Sequence, residues 1–258
     1  MMRLWKEVAA SRDLFIELLK VQMDQRYNGS ALGVIWALAM PLLTILSFSL
    51  IFSSLSGWNL ADYGVYFFCG YVPWTFFQAS SLHAAESLVG NAFYVTRISM
   101  PKQVLPLVAV ALNGIDAVAG MVILFALMPL LGAPYHLSML CLPASALLTA
   151  AAVAGVAMLC AQANVFFRDF RYLLNSALFL WFFFSPVLWR PDTLSPALRP
   201  FYRLNPAVAF LELFQLPVRL GILPPVEAWL LAGVWASALL LAGGLTFAAN
   251  QKRFYYYL

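Results

Sequence analysis

The sequence predicts an all-α membrane protein with six transmembrane helices, and two observations carry this prediction. Of the 258 residues, 63% are hydrophobic and only 10% are charged, whereas soluble domains carry about 25% charged residues. The apolar residues also gather into runs of about 20, the length that a helix needs to cross the hydrocarbon core of a bilayer. Six such runs leave room for connections and tails but not for a second large soluble domain.

Residues 1–30 are predicted to form an amphipathic helix that lies in the membrane interface. Apolar residues recur there at spacings of three and four among charged ones, so one face is apolar while the whole segment is too polar to span. These apolar residues are Leu4, Val8, Phe15, Leu18, Leu19 and Met23. Charges are spread along the whole segment, unlike those of a signal peptide, and we expect it to remain in the mature protein.

Six apolar runs follow and together with their connections form a transmembrane domain over 31–250. The predicted spans are residues 31–55, 63–83, 104–130, 137–163, 173–189 and 227–250. The second run is rich in aromatic residues and is interrupted by Pro73. The third and fourth are separated by a few residues and form an antiparallel hairpin. The fifth is at the lower limit for a span.

Three polar segments between or after the spans have predicted structures of their own. Residues 86–100 suit a short cytoplasmic helix and turn, which Pro101 ends. Residues 190–226 contain seven of the 15 prolines, which predicts short re-entrant or periplasmic helices between them. Residues 251–258 combine basic and aromatic side chains, which is typical of a cytoplasmic tail anchored at the membrane interface.

The basic residues predict the orientation of the six spans. Eleven of the 15 lysines and arginines fall in the two termini and in the connections after the second and fourth spans, while the other four lie in 190–226. By the positive-inside rule, both termini are predicted to be cytoplasmic. The four arginines of 190–226 are an exception to this bias.

Several classes of function are excluded or disfavoured. The chain has no G-x-x-x-x-G-K-[ST] phosphate loop, so any ATP-driven work must be done by a partner. Cys69, Cys141 and Cys160 lie in apolar runs without C-x-x-C spacing, and neither a metal site nor a disulfide is predicted. Basic residues flank the apolar runs, which indicates membrane orientation and not nucleic-acid binding.

The charged residues in or near the spans have two interpretations each. Asp116, in the third run, is costly in a bilayer and needs a partner, either as a structural hydrogen-bonding group or as part of a proton relay. The four exceptional arginines either hold a phosphate by bidentate hydrogen bonds or reach lipid headgroups from the interface. They are Arg190, Arg199, Arg203 and Arg219.

The aromatic residues of the second and fifth runs are also open to two interpretations. Their flat faces suit a passage for sugars, because aromatic rings stack on the apolar faces of sugar rings. Equally, they suit interfacial belts or packing against lipid, and their spacing alone favours this second interpretation.

At the start of the first span a family resemblance appears. The run R-Y-N-G-S-A-L-G-V-I-W-A-L-A-M-P (26–41) resembles the opening of the membrane subunits of bacterial ABC exporters for polysaccharides, which export O-antigen, capsule and teichoic acid. Further motifs follow in the family's order across the chain. They are G-Y-V-P-W-T-F-F (70–77), S-L-V-G-N-A (87–92), V-T-R-I-S-M-P (95–101), F-F-R-D-F-R-Y (166–172), F-F-F-S-P-V (182–187) and L-N-P-A (204–207).

The resemblance implies a homodimer that pairs with two copies of an ATP-binding cassette subunit, which binds ATP and Mg, while this chain binds no cofactor. It places the coupling helix between the second and third spans, at 86–100. We predict ATPase contacts from Glu86, Asn91, Val95 and Arg97 in that segment.

The resemblance also implies a lumen for a lipid-linked glycan. A long glycan must slide, so its channel should contact each ring weakly and repeatedly, as aromatic faces do. The predicted channel residues are Tyr66, Tyr71, Trp74, Phe77, Trp181 and Phe184, with spans one and five forming much of the wall. Arg3, Lys6 and Arg12 on the interfacial helix are predicted to meet the lipid's phosphate group on the cytoplasmic side.

The predicted function is therefore that of the transmembrane subunit of an ATP-driven exporter of a lipid-linked polysaccharide in the bacterial inner membrane. One alternative is an ABC permease for a drug or small lipid, against which the aromatic content and the 26–41 run argue. A second alternative is a membrane-bound glycosyl or phospholipid transferase. Such an enzyme needs clustered acidic or histidine residues at a membrane edge, and the chain has only His83 and His136, far apart, and no D-x-D pair.

Overall fold

A computed structural model describes residues 11–27, 33–57, 59–98, 100–191, 195, 202 and 204–258, and their regular structure is entirely helical. The α-helices are α1 (Arg12–Tyr27), α2 (Gly33–Ser56), α3 (Leu60–Ser87), α4 (Ala92–Arg97), α5 (Val104–Leu127), α6 (Leu142–Phe166), α7 (Phe170–Phe184), α8 (Pro206–Gln215), α9 (Val226–Asn250) and α10 (Phe254–Tyr257). A 3-10 turn, Leu137–Cys141, leads into α6, and a π-helical turn, Leu216–Leu220, follows α8. The all-α prediction is confirmed for these residues.

The long apolar helices identify a membrane protein. Among the described residues, Val104–Leu127, Leu137–Phe166 and Val226–Asn250 are long and apolar enough to cross a bilayer, and Leu42–Ser54 and Phe170–Phe184 are shorter apolar helices. Helices therefore overlap each range that the sequence assigned to a span, although the helix in 173–189 ends at Phe184. The count of six spans stays a prediction.

The centre of the fold is α3, which packs against α2, α5 and α6. Its aromatic side chains Tyr63, Phe67 and Phe68 are buried in the main apolar cluster. The helix runs through Pro73 without a break, although the sequence suggested an interruption there. A proline removes one backbone hydrogen bond, and in a membrane helix the surrounding helices and nearby hydroxyl groups compensate for that loss.

Two glycines let α6 and α9 approach each other until their backbones touch. A Cβ atom on Gly155 would lie 2.3 Å from the carbonyl carbon of Leu239, and one on Gly243 would lie 2.3 Å from the carbonyl oxygen of Gly155. Helix association within a membrane depends on such close van der Waals packing, because lipid tails are as apolar as the side chains. These glycines therefore position α9 on α6.

The two ends of the bundle differ in what they contain. At one end, which we call the α4 end, the buried side chains of Leu88, Val95 and Phe254 form a cluster with Leu18 of α1. The ammonium group of Lys102 donates to a carbonyl oxygen of the C-terminal segment 3.1 Å away, and burial lowers the pKa of this lysine. The helix connections α2–α3 and α5–α6 meet at the other end, which we call the opposite end.

The segment 190–226 contributes the short helix α8, which is packed into the protein. Ser145 of α6 donates from its hydroxyl to the carbonyl oxygen of Leu213 at 3.0 Å, and the amide of Gln215 donates to that of Pro186 at 2.8 Å. Backbone that does not form a full span is tolerated at membrane depth where protein covers it. These contacts position α8 beside α3, α6 and α9.

Candidate functional site

All four residues predicted to contact an ATPase make contacts within this chain, and the contact of Arg97 lies on the outer face of α4. The Asn91 amide donates to the carbonyl oxygen of Ser87 at 2.8 Å and so ties α4 to the end of α3. Val95 is 3% exposed and packs in the cluster at the α4 end. Glu86 forms an ion pair with Arg171 of α7. The contacts of Asn91 and Val95 hold α4 at the end of the bundle, while the ion pair joins the end of α3 to the start of α7.

The outer face of α4 is apolar, and no described residue covers it. Phe93 and Tyr94 are 61% and 51% exposed, and their rings meet edge to face with centroids 5.7 Å apart. The guanidinium carbon of Arg97 lies 5.1 Å from the Phe93 ring centroid, a cation–π contact. Two large exposed aromatic rings beside a cation, on a helix held from behind, make a surface suited to another protein.

An ion pair joins α1 to α5. Arg26 near the end of α1 lies 2.8 Å from a carboxylate oxygen of Asp116 and also donates to the side-chain oxygen of Asn113 at 3.2 Å. The amide of Asn113 in turn lies 3.4 Å from Nδ1 of His83 in α3. Asp116 therefore has a cationic partner, which favours the structural interpretation of this carboxylate over a proton relay.

Only some of the basic residues predicted to bind phosphate or reach lipid headgroups lie in the part of the chain that the structure describes. Arg12 begins α1 and is exposed. Arg3 and Lys6 lie outside the described residues, and so do Arg199 and Arg203. Arg190 and Arg219 lie together at the opposite end of the bundle.

The six predicted channel residues lie in four environments, three of which hold one residue each. Tyr66 is 1% exposed, and its hydroxyl lies 2.6 Å from the carbonyl oxygen of Trp189, so this ring packs inside the protein. Phe184, by contrast, is 73% exposed at the end of α7. Tyr71 is half-buried and stacks on Phe67, with ring centroids 5.1 Å apart.

The other three predicted channel residues form one aromatic group. Trp74 and Trp181 meet edge to face with centroids 5.8 Å apart, and Phe77 and Trp181 do the same at 5.4 Å. All three line a cavity of about 450 Å³ between α3, α6, α7, α8 and α9. The structure thus brings these residues together within one chain.

The chemistry of this cavity suits hydrocarbon better than sugar. Its lining is apolar apart from the Thr149 hydroxyl and the Cys160 thiol. Thr149 already donates to the carbonyl oxygen of Ser145 at 2.8 Å, and the Trp181 indole N–H donates to the Asn205 side chain at 2.9 Å. The buried indole N–H of Trp74 has no acceptor among the described residues. A sugar would therefore find almost no partners for its hydroxyl groups here, at a cost of desolvation.

Sequence reasoning missed several residues that the structure brings into view. Arg26 was not predicted as the partner of Asp116, although it is the last charged residue before an uncharged run. Phe93 and Tyr94 were not predicted as contact residues, because their exposure depends on which face of α4 packs against the bundle. The ion pair of Arg171 could not be predicted from neighbouring residues, because its partner Glu86 is 85 residues away in the sequence.

Comparison with known proteins places the sequence among transport proteins. Residues 13–216 match the family described as ABC-2 type transporter. The O-antigen export system permease protein RfbA of Myxococcus xanthus is 28% identical over 262 residues, which cover 98% of each chain. A protein of the same name from Klebsiella pneumoniae is 24% identical over 208 residues, covering 79% of this chain and 80% of the relative.

Proposed function

This chain belongs to the ABC-2 type transporter family, and we propose that it is the transmembrane subunit of an ATP-driven exporter of a lipid-linked polysaccharide. One observation carries the proposal. The Myxococcus xanthus relative, which is named an O-antigen export permease, aligns with this chain over 98% of both sequences. A match of that extent includes the helices, the connections and the Pro-rich segment, so it reaches beyond a shared motif.

We propose that six helices cross the bacterial inner membrane with both termini in the cytoplasm. Three long apolar helices, two shorter ones and the 28-residue α3 support this count. The excess of lysine and arginine at the termini and at 97, 102, 168 and 171 supports the orientation. In this arrangement the α4 end faces the cytoplasm and the opposite end faces the periplasm.

The α4 helix is the proposed docking site for the ATP-binding cassette subunit. Phe93, Tyr94 and Arg97 supply the exposed contacts, while Asn91 and Val95 hold α4 to the rest of the chain. A lever must be rigid to transmit movement. The α4 helix follows closely on α3, and the ion pair between Glu86 and Arg171 joins the end of α3 to the start of α7. ATP and Mg are bound by the partner subunit in this proposal.

Two copies of this chain and two ATP-binding subunits form the proposed transporter. Support comes from α7, where Leu178 is the only buried residue. Five large apolar side chains of this helix are exposed, namely Leu173, Phe179, Leu180, Phe183 and Phe184. A second copy that covers α7 and α2 would enclose a passage. Within it, Phe184 and the half-buried Tyr71 are the predicted channel residues whose rings are accessible.

The interfacial helix is the proposed first contact of the lipid-linked substrate. Arg12 is exposed on α1, and basic residues at the depth of lipid headgroups attract phosphate groups. Arg3 and Lys6 belong to the same proposal from the sequence alone. The pairing of Arg26 with Asp116 joins this helix to α5, so a substrate bound on α1 would contact an element fixed to the bundle.

The proposal is tested in a strain that lacks this chain and its ATPase partner. Restoring both should return glycan to the cell surface, and restoring the chain with an ATPase that cannot hydrolyse ATP should leave lipid-linked glycan in the cytoplasmic leaflet. A second arm of the experiment uses the variant Phe93→Ala with Tyr94→Ala, which should fold and reach the membrane but should not export glycan. Normal surface glycan in cells without this chain, or export of small lipids in place of glycan, would refute the proposed cargo.

A further inference from the structure

The apolar cavity between α3, α6, α7, α8 and α9 lies at the depth of lipid chains. Its lining includes Trp74 of α3, Val156 of α6 and Leu239 of α9, each near the middle of its helix. The helices Leu137–Phe166 and Val226–Asn250 are long and apolar enough to cross a bilayer, so the middle of each lies in the hydrocarbon core of a membrane. Water is absent at that depth, and hydrocarbon chains are the surrounding solvent.

The cavity is large enough for part of a hydrocarbon chain. Its volume is about 450 Å³, whereas an apolar cavity of about 150 Å³ in another protein stays dry and binds benzene. The lining of α7 runs from Leu174 to Trp181, which corresponds to about 10 Å along the helix. If such a cavity stayed empty, the side chains of its walls would lose the dispersion contacts that a row of methylene groups supplies.

Exposed residues show where the cavity opens. Ala177 of α7 and Trp235 of α9 line it and are also exposed, so the cavity is open between these two helices, which both pack on α6. In α6, every residue from 152 to 160 is buried except Val156 and Leu159, and both of these line the cavity. A lipid chain therefore reaches this stretch of α6 through the cavity.

The side of α7 that lines the cavity is not the side offered to a second copy in the proposed homodimer. Leu174, Leu178 and Trp181 recur at spacings of four and three and so share one face of α7, and all three line the cavity. Phe183 is 47% exposed and, at about 3.6 residues per turn, lies on the opposite face. A second copy that covers Phe183 therefore does not fill the cavity.

We propose that this cavity binds one acyl chain of a membrane phospholipid. The apolar lining, the depth and the opening between α7 and α9 all match such a chain, and phospholipids surround that opening in a membrane. The bound lipid is a resident of the protein and not its cargo, so this site is separate from any passage for a glycan. The inference requires only that the chain is a membrane protein and does not rest on the proposed cargo.

The test uses a phosphatidylglycerol that carries a photoreactive diazirine at the middle of one acyl chain. The full-length chain is reconstituted in vesicles that contain this probe, illuminated, and digested, and the labelled peptides are identified by mass spectrometry. The probe should label the stretch 152–160 of α6 as well as Leu231, which is exposed on α9 and reports lipid at the outer surface. Label at Leu231 without label in 152–160 would overturn the inference.

Three variants separate the cavity from the outer surface. Val156→Phe fills part of the cavity and should reduce labelling of 152–160 at least fivefold while Leu231 is labelled as before. Ala177→Trp should do the same by narrowing the opening, and its exposed position tolerates a larger side chain. Val234→Phe is the matched control, because Val234 is 66% exposed and does not line the cavity, and it should be labelled as the native chain is. Native labelling of 152–160 in both Val156→Phe and Ala177→Trp would refute the site.

A competition experiment tests the assignment to a phospholipid. Unlabelled phosphatidylglycerol in excess should reduce the label in 152–160, and a long-chain isoprenyl phosphate at equal concentration should reduce it no more. Displacement by the isoprenyl phosphate at a tenfold lower concentration would overturn the assignment, because the cavity would then bind the chain of an isoprenoid carrier.

Discussion

Replacing Gly155 by alanine tests the contact on which the packing of α6 and α9 depends. The added Cβ would lie 2.3 Å from the carbonyl carbon of Leu239 and 2.4 Å from its oxygen. A comfortable separation between carbon atoms is at least about 3.5 Å, so the helices would have to move apart by roughly 1.2 Å. The neighbour is backbone and cannot rotate away, as a side chain could.

The change in folding stability caused by Gly155→Ala is the sum of two effects of opposite sign. Alanine stabilises a helix by about 1 kcal/mol relative to glycine, while forcing extra volume into a packed interior costs about 1–3 kcal/mol and occasionally more. Because the clash here is with backbone, we expect the cost to be at the upper end and the net loss to be about 2 kcal/mol. For a chain of this size, that corresponds to a fall of roughly 4–8 °C in the melting temperature.

The measurement is the melting temperature of the purified chain in detergent, followed by tryptophan fluorescence. Gly233→Ala is the matched control, because Gly233 also lies in α9 and a Cβ there would meet nothing within 4 Å. Gly233→Ala should melt at or slightly above the native temperature. If Gly155→Ala melted as high as Gly233→Ala, the close backbone contact between α6 and α9 would be refuted.

Three further predictions concern the candidate site. Arg26→Asp should reduce export because it places two carboxylates together, and adding Asp116→Arg should restore much of it by remaking the pair in reverse, as surface glycan would report. Phe93→Ala with Tyr94→Ala should reduce the ATPase that copurifies with the chain by at least tenfold, because it removes the exposed apolar face of α4. Val156→Phe should fill part of the apolar cavity and leave glycan export within about twofold of native, because sugars have few hydrogen-bonding partners there.

Each of these predictions has a control and an outcome that contradicts it. For the ion pair, export in the double variant that is no better than in Arg26→Asp would show that the two residues do not act together. For α4, Tyr255→Ala removes another exposed ring and should leave ATPase copurification normal; an equal loss there would argue against docking on α4. For the cavity, loss of export by a Val156→Phe chain that assembles normally would place the glycan in it.

The helical class and the approximate ranges of the long helices could be predicted from the sequence. Both follow from local properties, since bilayer thickness sets the length of an apolar run and helical periodicity sets the spacing of apolar residues. The residues of α3 show the limit of that reasoning. Pro73 suggested a break that does not occur, because neighbouring helices compensate for the lost hydrogen bond.

The segment that forms the candidate docking site could be predicted from the sequence, but the side chains that it exposes could not. Segment 86–100 could be selected as a docking element from its polarity and position between apolar runs. Which of its residues face outward could not, because a helix of six residues is too short to show a periodic pattern. Val95 proved to be buried, and the adjacent Phe93 and Tyr94 proved to be exposed.

By itself the sequence determined a helical membrane protein, a bias of basic residues toward one side, and the need of Asp116 for a partner. The tertiary structure alone decided that this partner is Arg26 and that Trp74, Phe77 and Trp181 enclose an apolar cavity. It alone also brought Arg190 and Arg219 to one cavity. The physical reason is that these contacts join residues from about 29 to 107 positions apart in the chain. Spacing along one helix carries no information about which other helix will cover it, and only packing against the whole bundle selects the partner.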